Sequence, residues 1–225
     1  MTPPFKGNMK RIIVIGLGNF GSALADTLAR KGHDVIAVDL DQQAVDRISN
    51  RVAKAVVADG TDAAVLAEVG GDRADVGVIG TGDDITASIL ATLALQDLKT
   101  PQIHVKVISE AHARAVEKMG VTQTVFPERD TGIRLAESLA STAVLNYVPL
   151  SPGFSLQEMA VPDSWVGRSL RDLDLRHTHL VSVVAVHDML RDEVRGVPDP
   201  DSPLKESDTL FVAGKSEDLE RLPGR

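Results

Sequence analysis

RIIVIGLGNFGSALADTL, residues 11–28, decides the fold. An aliphatic run, IIVIG, passes straight into a glycine-rich turn, and the turn into an alanine- and leucine-rich segment with helical spacing. Gly16, Gly18 and Gly21 form G-x-G-x-x-G, with Asn19 and Phe20 enclosed in it. The first glycine permits the tight turn, the second lets a phosphate approach the backbone, and the third lets the helix pack close to the strand. The helix end presents free N–H groups and a partial positive charge to an anion. A second strand, DVIAVD at 34–39, ends at Asp39, 18 residues (39 − 21) beyond Gly21. That is close to the roughly 20 expected of an acid that accepts hydrogen bonds from ribose hydroxyls. A carboxylate there also repels a 2′-phosphate, which disfavours NADP.

The pattern repeats outward from this stretch. Short runs at 55–59, 75–80, 103–107 and 124–127 have the length and β-branched content of buried parallel strands. Helical spacing occupies 22–31, 42–51, 62–69, 84–98 and 110–119 between them. Strand alternating with helix six times predicts an α/β fold, a Rossmann-like doubly wound parallel sheet. Right-handed crossovers make 3-2-1-4-5-6 the leading strand order. In such sheets ligands sit beyond the carboxyl ends of the strands. Two further loops belong there: Asp59-Gly60-Thr61 after the third strand and Gly80-Thr81-Gly82 after the fourth. Asp59 is placed to meet an adenine amino group, although Asp59 and Asp62 equally suit the cap of the next helix.

Residues 128–146 read as one long amphipathic helix, and 147–153, with two prolines and a glycine, as a linker. Beyond it the texture changes to short strands with polar turns, including PDPDSP at 198–203. The expected organisation is a nucleotide-binding domain over 9–146 and a small α+β module over 154–223.

Composition narrows the functional classes. The 225 residues carry 24 Lys and Arg against 32 Asp and Glu, a net charge of −8, with basic and acidic residues interleaved. Nucleic-acid binding needs clustered cations to displace phosphate counterions, so no nucleic-acid partner is expected. No apolar run approaches the roughly 20 residues of a membrane span. The opening MTPPFKGNMK lacks a long apolar stretch and is expected to be a loose leader, not a secretory signal, with Met9 an equally good start. Cysteine is absent, which removes disulfides, thiolate metal sites and cysteine nucleophiles and suits a reducing cytoplasm.

The ordered set VIGLGNFG, VIAVDLD, VVADGTD, IGTGDD, VKVISEAHARAVEKMGVTQTVFPERD and VLNY, followed by the β-rich module, resembles the regulatory subunits of Ktr/Trk potassium uptake systems. Those proteins carry an RCK domain (regulator of potassium conductance) and an RCK-C, or TrkA-C, module. The resemblance spans residues 10–222, and 116–130 is its most specific part. It implies a cytoplasmic, non-enzymatic sensor, peripheral to the membrane, that binds ATP, ADP or NAD(H). It also implies homodimers assembled into an octameric ring, docked on a membrane potassium-translocating subunit of the KtrB/TrkH type whose conduction the ring controls. By the same resemblance Gly16, Gly18 and Gly21 hold phosphates, Asp39 ribose, and Asp59 lies near the base. Lys106 faces the crevice, and Glu128 is associated with a divalent cation near the phosphates at the dimer interface. Residues 129–146 match a crossover helix. The stretch 170–186, with Arg176, corresponds to the region where some relatives bind cyclic di-AMP. Asn19 stands where many ATP-binding members have arginine, which leaves the preference among ATP, ADP and NAD(H) open.

The main alternative is an NAD-dependent oxidoreductase. It would need an acid, base or electrophile aimed at a substrate. Tyr147 has Ser151 four residues later, so a Tyr-x-x-x-Lys pair is missing, as are HExxH, GxSxG and a Walker lysine. A DNA-binding redox sensor would need a helix-turn-helix with a basic face, and neither is legible. His177 and His179 are spaced to share one side of a strand as metal ligands, an arrangement more often incidental.

Overall fold

The computed structural model describes residues 9–81, 83–140 and 144–223. Strands β1 (Arg11–Ile15), β2 (Asp34–Asp39), β3 (Lys54–Val57), β4 (Val76–Ile79), β5 (Gln102–Lys106) and β6 (Gln123–Val125) form a parallel sheet in the order β3-β2-β1-β4-β5-β6. This is the predicted topology. Chain order reverses between β1 and β4, and a crevice opens there at the carboxyl ends.

The helices α1 (Asn19–Arg30), α2 (Gln42–Ile48), α3 (Ala63–Glu68), α4 (Ile85–Asp97) and α5 (Glu110–Lys118) alternate with the strands. Side chains alternate across a strand, and the core divides accordingly. Ile13, Ile15, Ile36, Val38, Ile79 and Val105 pack with Leu66 of α3, Leu95 of α4 and Val116 of α5. Ile12, Val14, Val35, Ala37, Val76 and Val78 pack with Ala25 of α1 and Val45 and Ile48 of α2. Asp41, Asp62, Asp84 and Ser109 start α2, α3, α4 and α5, each accepting a first-turn backbone N–H.

Helix α6 (Pro127–Ala140) follows β6. Two readings of the sequence need correction here. The helix expected over 128–146 ends at Ala140, residues 141–143 lie outside the described residues, and strand β7 (Val144–Ser151) has begun by Val144. The linker expected over 147–153 is instead mostly that strand, paired antiparallel with β8 (Phe154–Ala160) and turning at Pro152 and Gly153. Proline lacks the N–H a central strand needs, but β7 lies at the sheet edge, and its register shifts between Pro149 and Ser151.

The remaining strands, β9 (Ser182–Asp188), β10 (Glu193–Gly196) and β11 (Asp208–Lys215), complete an antiparallel sheet in the order β10-β9-β11-β8-β7. Short helices α7 (Leu170–Leu173), α8 (Leu175–Thr178) and α9 (Ser216–Leu219) contribute Leu173, Leu175 and Leu219 to its core, around Trp165, Leu210 and Val212. The α+β module is therefore as expected. Contacts divide the chain into two units, one ending at Glu128 and the other starting at Arg129. No helix of the described residues is long and apolar enough to cross a membrane.

Candidate functional site: a crevice at the sheet switch point

The glycine turn is built by exclusion. Gly16 has φ +89°, and a Cβ on it would lie 2.8 Å from the Thr81 backbone nitrogen. A Cβ on Gly21 would lie 1.9 Å from the Gly16 carbonyl oxygen, so only glycine lets α1 seat against the turn. Gly18 differs: its added Cβ would meet nothing within 4 Å. The open space over Gly18 is where a ligand phosphate would approach. Ser22 N–H donates to the Gly18 carbonyl at 3.0 Å as the first bond of α1. The amides of Asn19, Phe20 and Gly21 therefore have no intrahelical acceptor and suit an anion.

Asp39 ends β2 and reaches back to the turn. Its Oδ2 accepts the Leu17 N–H at 2.5 Å, and its Oδ1 accepts the Asp41 N–H at 2.9 Å. The carboxylate thus fixes the turn and keeps lone pairs for ribose hydroxyls. Asp59 Oδ1 accepts from both the Thr61 hydroxyl (2.7 Å) and the Thr61 N–H (2.9 Å). Those two donors, the hydroxyl foremost, hold its carboxyl below the usual carboxylate range. The cap of α3 is Asp62, not Asp59, which leaves Asp59 facing the crevice.

The crevice brings together Gly16, Asp39, Asp59, Gly60, Thr61 and Thr81, from four loops far apart in sequence. Gly60 is also a packing glycine, because its Cβ would lie 2.3 Å from Ile15 Cγ2. Thr81 Oγ1 is buried and finds no partner among the described residues, which fits a polar ligand atom beside it. Gly80 backs the turn, 3.0 Å from its would-be Cβ to the Gly16 oxygen, and Gly82 lies outside the described residues. The Phe20 side chain is partly buried and packs against the core under α1. Sequence reasoning missed Leu40, Ala58, Ala87 and Ala91 in the crevice wall. Ala87 and Ala91 lie four apart on α4, a one-face spacing that carried the signal.

Lys106 and Glu128 meet each other. Lys106 Nζ lies 2.6 Å from Glu128 Oε1, with the lysine side chain 12% exposed and the glutamate 60%. The hydrogen bond from Lys106 is the main reason the Glu128 carboxyl lies below its ordinary range. Among the described residues no cluster of three or more His, Asp or Glu is arranged to hold a metal ion. A lone carboxylate does not fit a hard cation, which wants several oxygens. His177 and His179 diverge: His177 pairs with Asp174 at 2.7 Å, and the His179 ring lies 5.9 Å from that of Trp165.

In the second unit a cavity of about 770 Å³ is lined by Leu170, Arg171, Leu175, Arg176, His177, Val181, Val184 and Pro198, among others. Arg176 stands there among aliphatic walls with Asp174, while the Arg171 guanidinium is held by both carboxylate oxygens of Asp201.

Comparison with known proteins agrees with this architecture. Residues 12–127 match the TrkA-N domain family and residues 156–222 the TrkA-C domain family. The chain is similar to Ktr system potassium uptake protein A of Bacillus subtilis (strain 168), 32% identical over 213 residues and 95% of each chain. It is also similar to protein C of the same system and organism, 34% identical over 216 residues, 96% of this chain and 97% of that one. Among solved structures, the GsuK RCK domain matches with TM-score 0.66 at 20% identity, over 96% of this chain and 47% of that one. The GsuK channel bound to NAD matches with TM-score 0.54 at 25% identity, over 95% and 38%. The chain thus spans less than half the length of those two structures.

Proposed function

Because the chain belongs to the TrkA-N/TrkA-C family, which includes the Ktr system potassium uptake proteins, we propose that it is a nucleotide-sensing regulatory subunit of a potassium uptake system. The carrying observation is the crevice at the switch point, where the turn amides, Asp39 and Asp59 converge. Phosphates rest on the amides of residues 18–21, ribose on Asp39, and the base beside Asp59. NAD binding by the related GsuK channel supports an adenine dinucleotide or nucleotide as the ligand class. ATP, ADP and NADH are the members to test.

The subunit works at the cytoplasmic face and docks on a membrane potassium-translocating partner. Self-association is supported by α4, which leaves Ile85, Leu90 and Leu93 exposed. A ring, octameric by the family resemblance, makes the sensing economical. Moving a two-state assembly from 1:99 to 99:1 takes about 5.5 kcal/mol of differential affinity. A tenfold preference per site gives about 1.4 kcal/mol, so roughly four coupled sites suffice. Exchange of one nucleotide for another drives this, and no chemical step is needed. The Arg171/Arg176 cavity is read as a second ligand site, for a cyclic dinucleotide such as cyclic di-AMP.

The test is the melting temperature of the purified chain with ATP, ADP, NADH or cyclic di-AMP. A ligand at 100 times its Kd adds about 2.7 kcal/mol, which raises the midpoint by several degrees. No rise with any of the first three contradicts the sensing role, and steady NADH turnover with a carbonyl substrate would favour an oxidoreductase.

A further inference from the structure

We propose that Ser22 is a positioning residue for a phosphate-bearing ligand: its hydroxyl engages the Leu17 carbonyl and so leaves the first amides of α1 to the phosphates. The inference rests on the nucleotide reading of the crevice and names a control on that site. Ser22 is not among the described residues that line the crevice, so it acts through the glycine turn.

Leu17 is the pivot of the turn. It is buried, and side chains hold both of its backbone polar groups. Its N–H donates to Asp39 Oδ2 at 2.5 Å, and its carbonyl accepts the Ser22 hydroxyl at 2.6 Å. A serine inside a helix ordinarily returns to the carbonyl of residue i−3 or i−4. The i−4 carbonyl here, that of Gly18, already takes the Ser22 N–H. The hydroxyl reaches one residue further, past the helix start, to a carbonyl with no other donor among the described residues.

A trans peptide sets its C=O and N–H on opposite sides, so a Leu17 carbonyl held at Ser22 turns the Gly18 N–H away from Ser22. Gly18 is exposed, and among the described residues its N–H meets no acceptor. Without the hydroxyl, the Leu17 carbonyl is a buried acceptor in want of a donor, which is costly. The free donors nearest along the chain are the amides of Phe20 and Gly21, which can close a helical turn back onto Leu17. A carbonyl that takes them competes with a phosphate for the same N–H groups. The Ser22 hydroxyl keeps this built-in rival occupied. A purely structural serine would only satisfy a buried carbonyl, and its loss would not depend on whether the ligand carries phosphate.

The experiment titrates ADP, and adenosine as its competitor, into the full-length chain and its Ser22→Ala and Ser22→Thr variants by calorimetry. Both probes carry ribose and base, and only ADP carries phosphate. Ser22→Ala is expected to bind ADP about threefold to tenfold weaker, the range of one net hydrogen bond, and adenosine within about twofold of wild type. Ser22→Thr keeps the hydroxyl and is expected to bind ADP within about twofold of wild type. Ser22→Ala that binds ADP as wild type does, or that loses ADP and adenosine equally, overturns the proposal. Ser22→Thr as weak for ADP as Ser22→Ala overturns it too. Melting curves without ligand check folding. If Ser22→Ala does not fold, Ser22→Cys, alike in shape but only a weak donor, decides in its place. A wild type that binds neither probe contradicts the nucleotide reading, and this inference with it, a result distinct from any difference between variants.

Discussion

At Gly21 an added methyl group would lie 1.9 Å from the Gly16 carbonyl oxygen, while at Gly18 it would lie in open space. The two glycines of one motif therefore serve different ends, and alanine substitution separates them. Gly21→Ala must push α1 off the turn, and a loss of about 3 kcal/mol or more is expected, in the range of severe core disruptions. Gly18 has φ −62°, which alanine accepts, so Gly18→Ala is expected to melt within about 0.5 kcal/mol of wild type. Its methyl group instead occupies the phosphate's space and weakens nucleotide binding at least tenfold. Urea unfolding paired with ligand titration checks both outcomes. Either glycine could be named from the sequence, but not the difference between them, because it depends on what stands opposite each Cα. The same holds for Lys106 and Glu128. Each was picked out as a crevice residue, yet their pairing joins β5 to α6 and no spacing along the chain encodes it.

Among the elements, α4 gives the clearest case of a surface awaiting a neighbour. Leu90 and Leu93 are each 44% exposed on this helix. Burying one such side chain contributes about 1.5–3 kcal/mol, so Leu93→Lys is expected to weaken self-association at least tenfold. Sedimentation of wild type and variant would check this, and a wild type monomeric at tens of micromolar would contradict it. In the C-terminal sheet, Glu158 of β8 ties strands together from a side chain 8% exposed. It accepts from Thr209 Oγ1 of β11 at 2.7 Å, Asn146 Nδ2 of β7 at 2.5 Å and His187 Nδ1 of β9 at 3.4 Å. Burial pushes its carboxyl upward, but these donors together outweigh burial and hold it below its ordinary 4.5. The stabilisation is therefore present above about pH 4.5 and lost as pH falls through the lower folded value. Acid unfolding followed at Trp165, the chain's sole tryptophan and part of this core, should show that loss. Glu158→Gln should flatten it while lowering stability at pH 7 by about 1–3 kcal/mol. A variant with unchanged acid sensitivity would contradict the assignment. None of these partners was legible beforehand, and β7 itself was read as a linker. Two prolines and a glycine near its end outweighed VLNYV, because edge position, a context that tolerates them, is a property of the assembled sheet.

At the scale of the whole molecule, the parallel sheet was legible because each buried strand is a short continuous apolar run closed by turn residues. The acidic composition and the interleaved charges turned the expectation away from nucleic acid, and the glycine turn toward a small-molecule ligand in a crevice. The account's central claim is that this crevice holds an adenine-containing ligand whose abundance is reported, not transformed. A crystal of the chain grown with ADP tests it most directly. The account predicts ribose hydroxyls on Asp39, phosphates on the amides of residues 18–21 and the base beside Asp59. A crevice left empty, or closed by ordered side chains, at saturating ADP would contradict it.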